Sequence, residues 1–156
     1  QGSYSIVSAH PGLDKKEDQI SPSPMPGGRL RENVYFLMLR ALNLYQSSYL
    51  PKQEALGTSI SEARAIILLS DSPELFADGI PQFANAPQSE VIEILKNLSD
   101  RGWLVQAGNG YTLTDKGQIK AEQLWALADT HEGIIFKDLS DAEMTSYKHI
   151  LRNVGS

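Results

Sequence analysis

Residues 84–117, ANAPQSEVIEILKNLSDRGWLVQAGNGYTLTDKG, decide how this chain folds. Val91, Ile94, Leu95 and Leu98 recur at i, i+3, i+4 and i+7, which draws one apolar stripe along a helix. Pro87 suits the first turn of that helix, where a missing N–H leaves no bond unmade. Gly102 stops it, because glycine tolerates the left-handed C′ conformation, and Arg101 in the last turn faces the negative end of the helix dipole. Trp103-Leu104-Val105 and Tyr111-Thr112-Leu113 are β-prone runs on either side of Gly108-Asn109-Gly110, whose residues accept the positive φ of a tight hairpin. Thr114 is a good N-cap for the next helix. A helix that feeds a hairpin, which in turn feeds a helix, is the plan of a winged helix-turn-helix. It points to nucleic acid.

Working outward, Leu30 to about Leu50 is strongly helical, with Val34, Leu37, Met38, Ala41, Leu42, Tyr45 and Tyr49 on one face and Phe36, Leu39 and Leu44 widening it. That face is broader than one packed helix needs and suggests burial against two surfaces, such as its own core and a second subunit. Pro51 is expected to end the helix. A second helix is expected from about Ser61 to Ser70, capped by Ser59 or Ser61, with Ala65, Ile66, Leu68 and Leu69 inward. Asp71-Ser72-Pro73 breaks it, Glu74–Ala77 reads as one turn, and Gly79–Asn85 as a short helix with Pro81 in its first turn. After the hairpin a long helix is expected from Asp115 to about Lys137, with Ile119, Leu124, Trp125, Ala128, His131 and Ile135 sharing a face. Ser140-x-x-Glu143 is a capping box for a last helix carrying Met144, Tyr147, Ile150 and Leu151 and ending near Gly155.

The 156 residues suffice for one domain with a substantial core, or one domain plus arms. Gln1-Gly2-Ser3 has the form of a remnant left by a cleaved expression tag, and residues 4–29, rich in Pro, Gly, Ser and charge, read as a mobile tail. The absence of cysteine excludes disulfides and thiolate metal sites. No apolar run is long enough to span a bilayer, and with no signal peptide the cytoplasm is the expected location. The net charge of −5 gives no general attraction to DNA or to anionic membranes.

Two long helices bracketing a compact helix–helix–helix–hairpin unit resemble the MarR family of bacterial transcription regulators. The resemblance covers roughly residues 30–154 and rests most on LKNLSDRGWLV (Leu95–Val105), TLTDKG (Thr112–Gly117) and LSDAEMTSYKHIL (Leu139–Leu151). It implies a mainly α (α+β) fold of about six helices and a small β-hairpin wing. In it residues 30–57 and 118–154 are dimerisation helices and 58–117 the winged helix-turn-helix lobe. It also implies a homodimer that binds duplex DNA as a repressor and responds to a small aromatic effector. On that mapping Gly79–Asn85 is the scaffold helix, Pro87–Asp100 the recognition helix and Val105–Tyr111 the wing. Pro87 opens the recognition helix, Gln88, Ser89 and Ile92 meet base edges, Lys96 lies near a phosphate, and Asn109 at the wing tip approaches the minor groove. The glutamine amide suits adenine, and serine can bond a base or a phosphate.

Charge weighs against that reading. Wings of this family usually carry an Asp-x-Arg element, whereas Trp103–Thr114 holds no charged residue. Across residues 61–117 four cations (Arg64, Lys96, Arg101, Lys116) stand against eight carboxylates, which leaves −4. Neutralised phosphates supply most non-specific affinity for DNA, so compensation must come from elsewhere, with Arg29, Arg31, Lys52 and Lys15-Lys16 available. A second reading follows: a MarR-like scaffold that has lost DNA binding and works through a protein partner, as an antirepressor or heterodimer subunit. Tyr45, Tyr49 and Trp125 could line an effector pocket, although aromatics at helical spacing are first of all core residues. Asn109-Gly110 is likewise first a turn. His10, His131 and His149 are scattered, and no nucleophile–base set, phosphate loop or paired carboxylate appears. Neither a metal, a cofactor nor an enzymatic activity is expected.

Overall fold

The computed structural model describes residues 24–77 and 86–156. Their order is α1 (Val34–Ala55), α2 (Ile60–Asp71), α3 (Gln88–Asp100), β1 (Leu104–Ala107), β2 (Gly110–Leu113), α4 (Asp115–Ile135) and α5 (Asp141–Asn153), with 3-10 turns at Gly28–Glu32 and Pro73–Phe76. The chain is mainly α with one small antiparallel hairpin. The helix expected over Gly79–Asn85 and the tail before residue 24 lie outside the described residues. Among the described residues no helix is long and apolar enough to cross a membrane.

The core sits in the lobe, not in the arms. Ala65, Ile66 and Leu69 of α2, Phe76, the α3 stripe of Val91, Ile94, Leu95 and Leu98, then Trp103, Leu104 and, from α4, Ala121 and Leu124 form one buried cluster. By contrast α5 buries no residue and α1 buries only Gln53. Local chemistry sets most boundaries. Ser59 caps α2 in a reciprocal capping box with Glu62, and Ser140 does the same for α5 with Glu143. Thr114 caps α4 by accepting from Gly117 N at 3.1 Å.

Several boundaries differ from the sequence reading. The first helix begins at Val34, where Asn33 Oδ1 accepts from Phe36 N at 2.9 Å, because the preceding residues close a 3-10 turn. Pro51 does not end it. The helix runs on to Ala55, since a proline removes only one donor while its final turn is held from outside. Gln53 is buried, Thr58 Oγ1 donates to its carbonyl at 3.2 Å, and Lys120 Nζ donates to Leu56 O at 2.8 Å. Pro87 stands at the N-cap of α3 and not inside its first turn. The long fourth helix stops at Ile135.

The inward face of α4 is also different. Gly117, Ala121, Leu124 and His131 are its buried residues, whereas Ile119 and Trp125 point outward. Two of the four inward residues are nearly side-chain-free, and this lets α4 approach the lobe closely. A Cβ built on Gly117 would stand 2.0 Å from Trp103 O, while one built on Gly133 in the same helix meets nothing within 4 Å. Gly133→Ala is therefore expected to stabilise by about 0.5–1 kcal/mol. Gly117→Ala, the same change of residue, is expected to destabilise by about 1–3 kcal/mol. Urea denaturation of the two variants checks the opposite signs.

The wing pairs Leu104 with Leu113, Val105 with Thr112, Gln106 with Tyr111 and Ala107 with Gly110. Gly108 takes the positive φ of the turn, at +59°. Gly110 serves a different purpose from the one its sequence suggests: it is buried, and a Cβ there would fall 1.8 Å from Phe76 O. The 3-10 turn at Pro73–Phe76 thus lies directly against the start of β2, beside the hairpin loop.

Candidate nucleic-acid interface

Helix α3 turns its apolar stripe into the lobe, so geometry leaves the opposite side to solvent. Gln88, Ser89, Glu90, Ile92, Glu93 and Lys96 are all exposed on it. The helix ends in a Schellman arrangement: Trp103 N donates to Leu98 O at 3.0 Å and Gly102 N to Ser99 O at 3.0 Å, with Gly102 at φ +75°. Thr114 ties this exit to α4, since its Oγ1 donates to Gly102 O at 2.6 Å and its N to Trp103 O at 3.1 Å. The outward face of α3 is therefore held from both its flank and its end. At the wing, Gln106 to Asn109 are exposed, with Asn109 in the loop between the strands. Pro87, Gln88, Ser89, Ile92 and Lys96 lie together on α3 or its cap, and Asn109 lies on the separate wing tip.

The lobe's cations are unevenly available. Arg101 donates to Glu62 Oε2 at 3.0 Å, and its guanidinium carbon stacks 3.9 Å over the Trp103 ring. Lys116 Nζ donates to Arg101 O at 3.2 Å, which neutralises the C-terminal end of α3. Both sit about 20 Å from Gln88, one helix length away. Arg64 and Lys96 are exposed. Burial pushes the Glu62 carboxyl upward, but hydrogen bonds from Ser59 and the Arg101 guanidinium outweigh it and hold the group below its ordinary value. The ion pair that ties the start of α2 to the end of α3 is thus firmly ionised at neutral pH.

A second cluster lies where α1 crosses α4. His131, fully buried, stands edge-on to Tyr45 with ring centroids 4.7 Å apart, and Tyr49 lies 5.3 Å from His131 and 5.4 Å from Tyr45. His131 Nε2 is 3.0 Å from Tyr45 O and 3.2 Å from Ser48 Oγ. A carbonyl only accepts, so Nε2 carries the hydrogen. Burial, then the neighbouring Tyr49 and Glu132, raises the Tyr45 phenol above its ordinary value, and burial does the same for Tyr49. Trp125, expected beside these two, is 40% exposed elsewhere on α4. Sequence reasoning placed His131 inward but had no means of joining it to Tyr45 and Ser48, because their pairing depends on how α1 crosses α4.

Next to this cluster an apolar cleft of about 530 Å³ opens between α1, the end of α4 and α5. Met38, Leu42 and Tyr45, then Phe136, Met144 and Leu151, are among its walls. Lys148 of α5 pairs with Glu132 of α4 at 2.6 Å along its edge. Tyr35 of α1 at the cleft, and Val34, Ile150 and Val154 outside its lining, are exposed by more than half. Among the described residues no group of three or more His, Asp or Glu is placed to hold a metal ion.

No family model matches the sequence. Solved structures do. The Mycobacterium tuberculosis MarR family protein Rv2887 in complex with DNA superposes with a TM-score of 0.70 at 21% identity, over 80% of this chain and 98% of that one. CouR from Rhodococcus jostii RHA1 bound to p-coumaroyl-CoA gives 0.67 at 16% identity, over 82% and 95%. A MarR family transcriptional regulator from Silicibacter pomeroyi gives 0.65 at 23%, over 80% and 89%. This chain has the winged-helix type of fold of the MarR family regulators.

Proposed function

We propose that this chain is a homodimeric transcription regulator of the MarR type, which binds duplex DNA through α3 and the β1–β2 wing and acts as a repressor. The observation that carries the reading is the exposed polar face of α3, with Gln88, Ser89 and Lys96 on one side of a helix whose other side is locked into the core. Its likeness to a regulator solved on DNA adds support. The apolar surfaces of α1 and α5 fit a second copy of the chain, in keeping with their absence from the core. An aromatic acid is the proposed effector, at the Tyr45–Tyr49–His131 cluster. A protein of this fold solved with salicylic acid supports that class of ligand, and one solved with p-coumaroyl-CoA, an aromatic thioester, supports an aromatic ring in it.

Fluorescence anisotropy with duplexes from upstream of the chain's own gene tests the proposal, at about 50 and 200 mM salt. Of the four lobe cations, all exposed, Arg101 and Lys116 are engaged with Glu62 and the end of α3, which leaves Arg64 and Lys96 for phosphates. Four neutralised phosphates per dimer would give a salt slope of about −4, a shallow dependence. Added aromatic acid is expected to release the duplex. A folded dimer that shows no salt-sensitive binding at low ionic strength would sink the DNA reading.

A specific observation favours one alternative. Two of the four lobe cations are committed to contacts within the protein, and Glu90 and Glu93 remain on the outer face of α3. The same lobe would then present an acidic surface to a protein partner. Pull-down from the host that recovers a stoichiometric protein and no DNA would favour this reading over the first.

A further inference from the structure

Ile92 is 50% exposed and stands alone in this on α3, whose other large apolar residues, Val91, Ile94, Leu95 and Leu98, are all buried. The core does not require it there. Nor does the arm surface, since among the described residues α3 packs chiefly against α2 and β1. Its helical neighbours on the outward side are polar: Gln88 and Ser89 before it, Glu93 and Lys96 after it. An apolar side chain in the middle of a polar reading face has one apolar counterpart in the major groove, the thymine C5 methyl.

We propose that α3 reads an A·T-containing step, with Ile92 packed on a thymine methyl and Gln88 paired through its amide with a neighbouring adenine. The inference rests on the DNA-binding reading above. Gln88 and Ile92 are four residues apart, so their Cβ atoms lie about 5–6 Å apart on one face, a span of one to two base-pair steps. Glutamine can donate to adenine N7 and accept from its N6 amino group at once. Guanine, usually read by arginine, finds none on this face: Arg101 is held at the far end by Glu62 and Trp103. Glu93, beside Ile92, opposes the N7 and O6 acceptors of guanine and accepts only from an amino group. The face therefore gains from methyl and amino groups, and its one cation, Lys96, lies a turn further on.

Selection from a random duplex pool with the full-length protein, followed by thymine-to-uracil replacement in the enriched duplex, tests this. Uracil keeps the hydrogen-bonding edge of thymine and lacks only the methyl. Enriched half-sites are expected to contain a fixed A·T step, and uracil at one thymine per half-site to weaken binding about fivefold to tenfold. Ile92→Ala is expected to bind thymine and uracil duplexes equally, with an unchanged melting temperature because the residue is half-exposed. Gln88→Ala is expected to lose the preference for the neighbouring adenine. If duplexes are enriched but wild-type affinity is indifferent to uracil at every thymine, or if Ile92→Ala still distinguishes the two, the assignment is wrong while DNA binding stands. Failure to enrich any duplex overturns both readings.

Discussion

Phe76→Ala is expected to cost about 3–5 kcal/mol of folding free energy, the usual range for emptying a buried phenylalanine site. Phe76 is 1% exposed, yet it lies in a four-residue 3-10 turn and in no long helix. Such a turn has little local stability of its own, so the ring is what fixes it in place. The turn also supports the wing, because its carbonyls pack where a Gly110 side chain would be. Losing the ring should therefore loosen β2 as well as leave a cavity under α2. Urea denaturation at fixed protein concentration should show a lowered midpoint with an unchanged slope. A loss below about 1 kcal/mol would mean that the turn is held by its backbone alone.

Leu42→Glu is expected to separate the proposed dimer while leaving the lobe folded. Leu42 is half-exposed on α1 and lines the cleft facing Leu151 of α5, and neither residue belongs to the core. A carboxylate buried in a subunit contact without a partner loses its hydration and gains nothing in return. A penalty of about 4 kcal/mol weakens association roughly thousandfold. Sedimentation velocity at micromolar protein should then show a monomer where the wild type is a dimer. Ile119→Glu, also at an exposed apolar position but on the first part of α4, is the control expected to remain dimeric. A Leu42→Glu protein that stays dimeric would move the interface away from α1 and α5.

What could be read from the sequence was what local chemistry decides. The stop at Gly102, the capping boxes at Ser59 and Ser140, the cap at Thr114 and the α3 stripe each depend on residues within a few positions of one another. The outward face of α3 followed by elimination once its inward face was known. What escaped depends on approach between distant segments. Apolar periodicity put Ile119 and Trp125 inward on α4, but the closest contacts there are made by Gly117 and Ala121, which carry almost no hydropathy signal. Gly110 looks like a turn residue until the turn at Pro73–Phe76 is seen against it. Pro51 looks like a terminator until Gln53, Thr58 and Lys120 are seen to hold the turn beyond it.

The Thr114 clasp has a mechanical side. One hydroxyl and one amide join the exit of α3 to the entry of α4, and Trp103 O is wedged against the bare backbone of Gly117. From that joint α4 runs unbroken for 21 residues, about 30 Å, to the arms. A rigid rod fixed at one end works as a lever: a tilt of about 5° moves the other end by roughly 3 Å, close to the height of one base pair. Helix α3 is geared to that rod and cannot turn freely of it, so in the proposed dimer any change in the tilt of an α4 shaft would be passed to the α3 helix fixed to it.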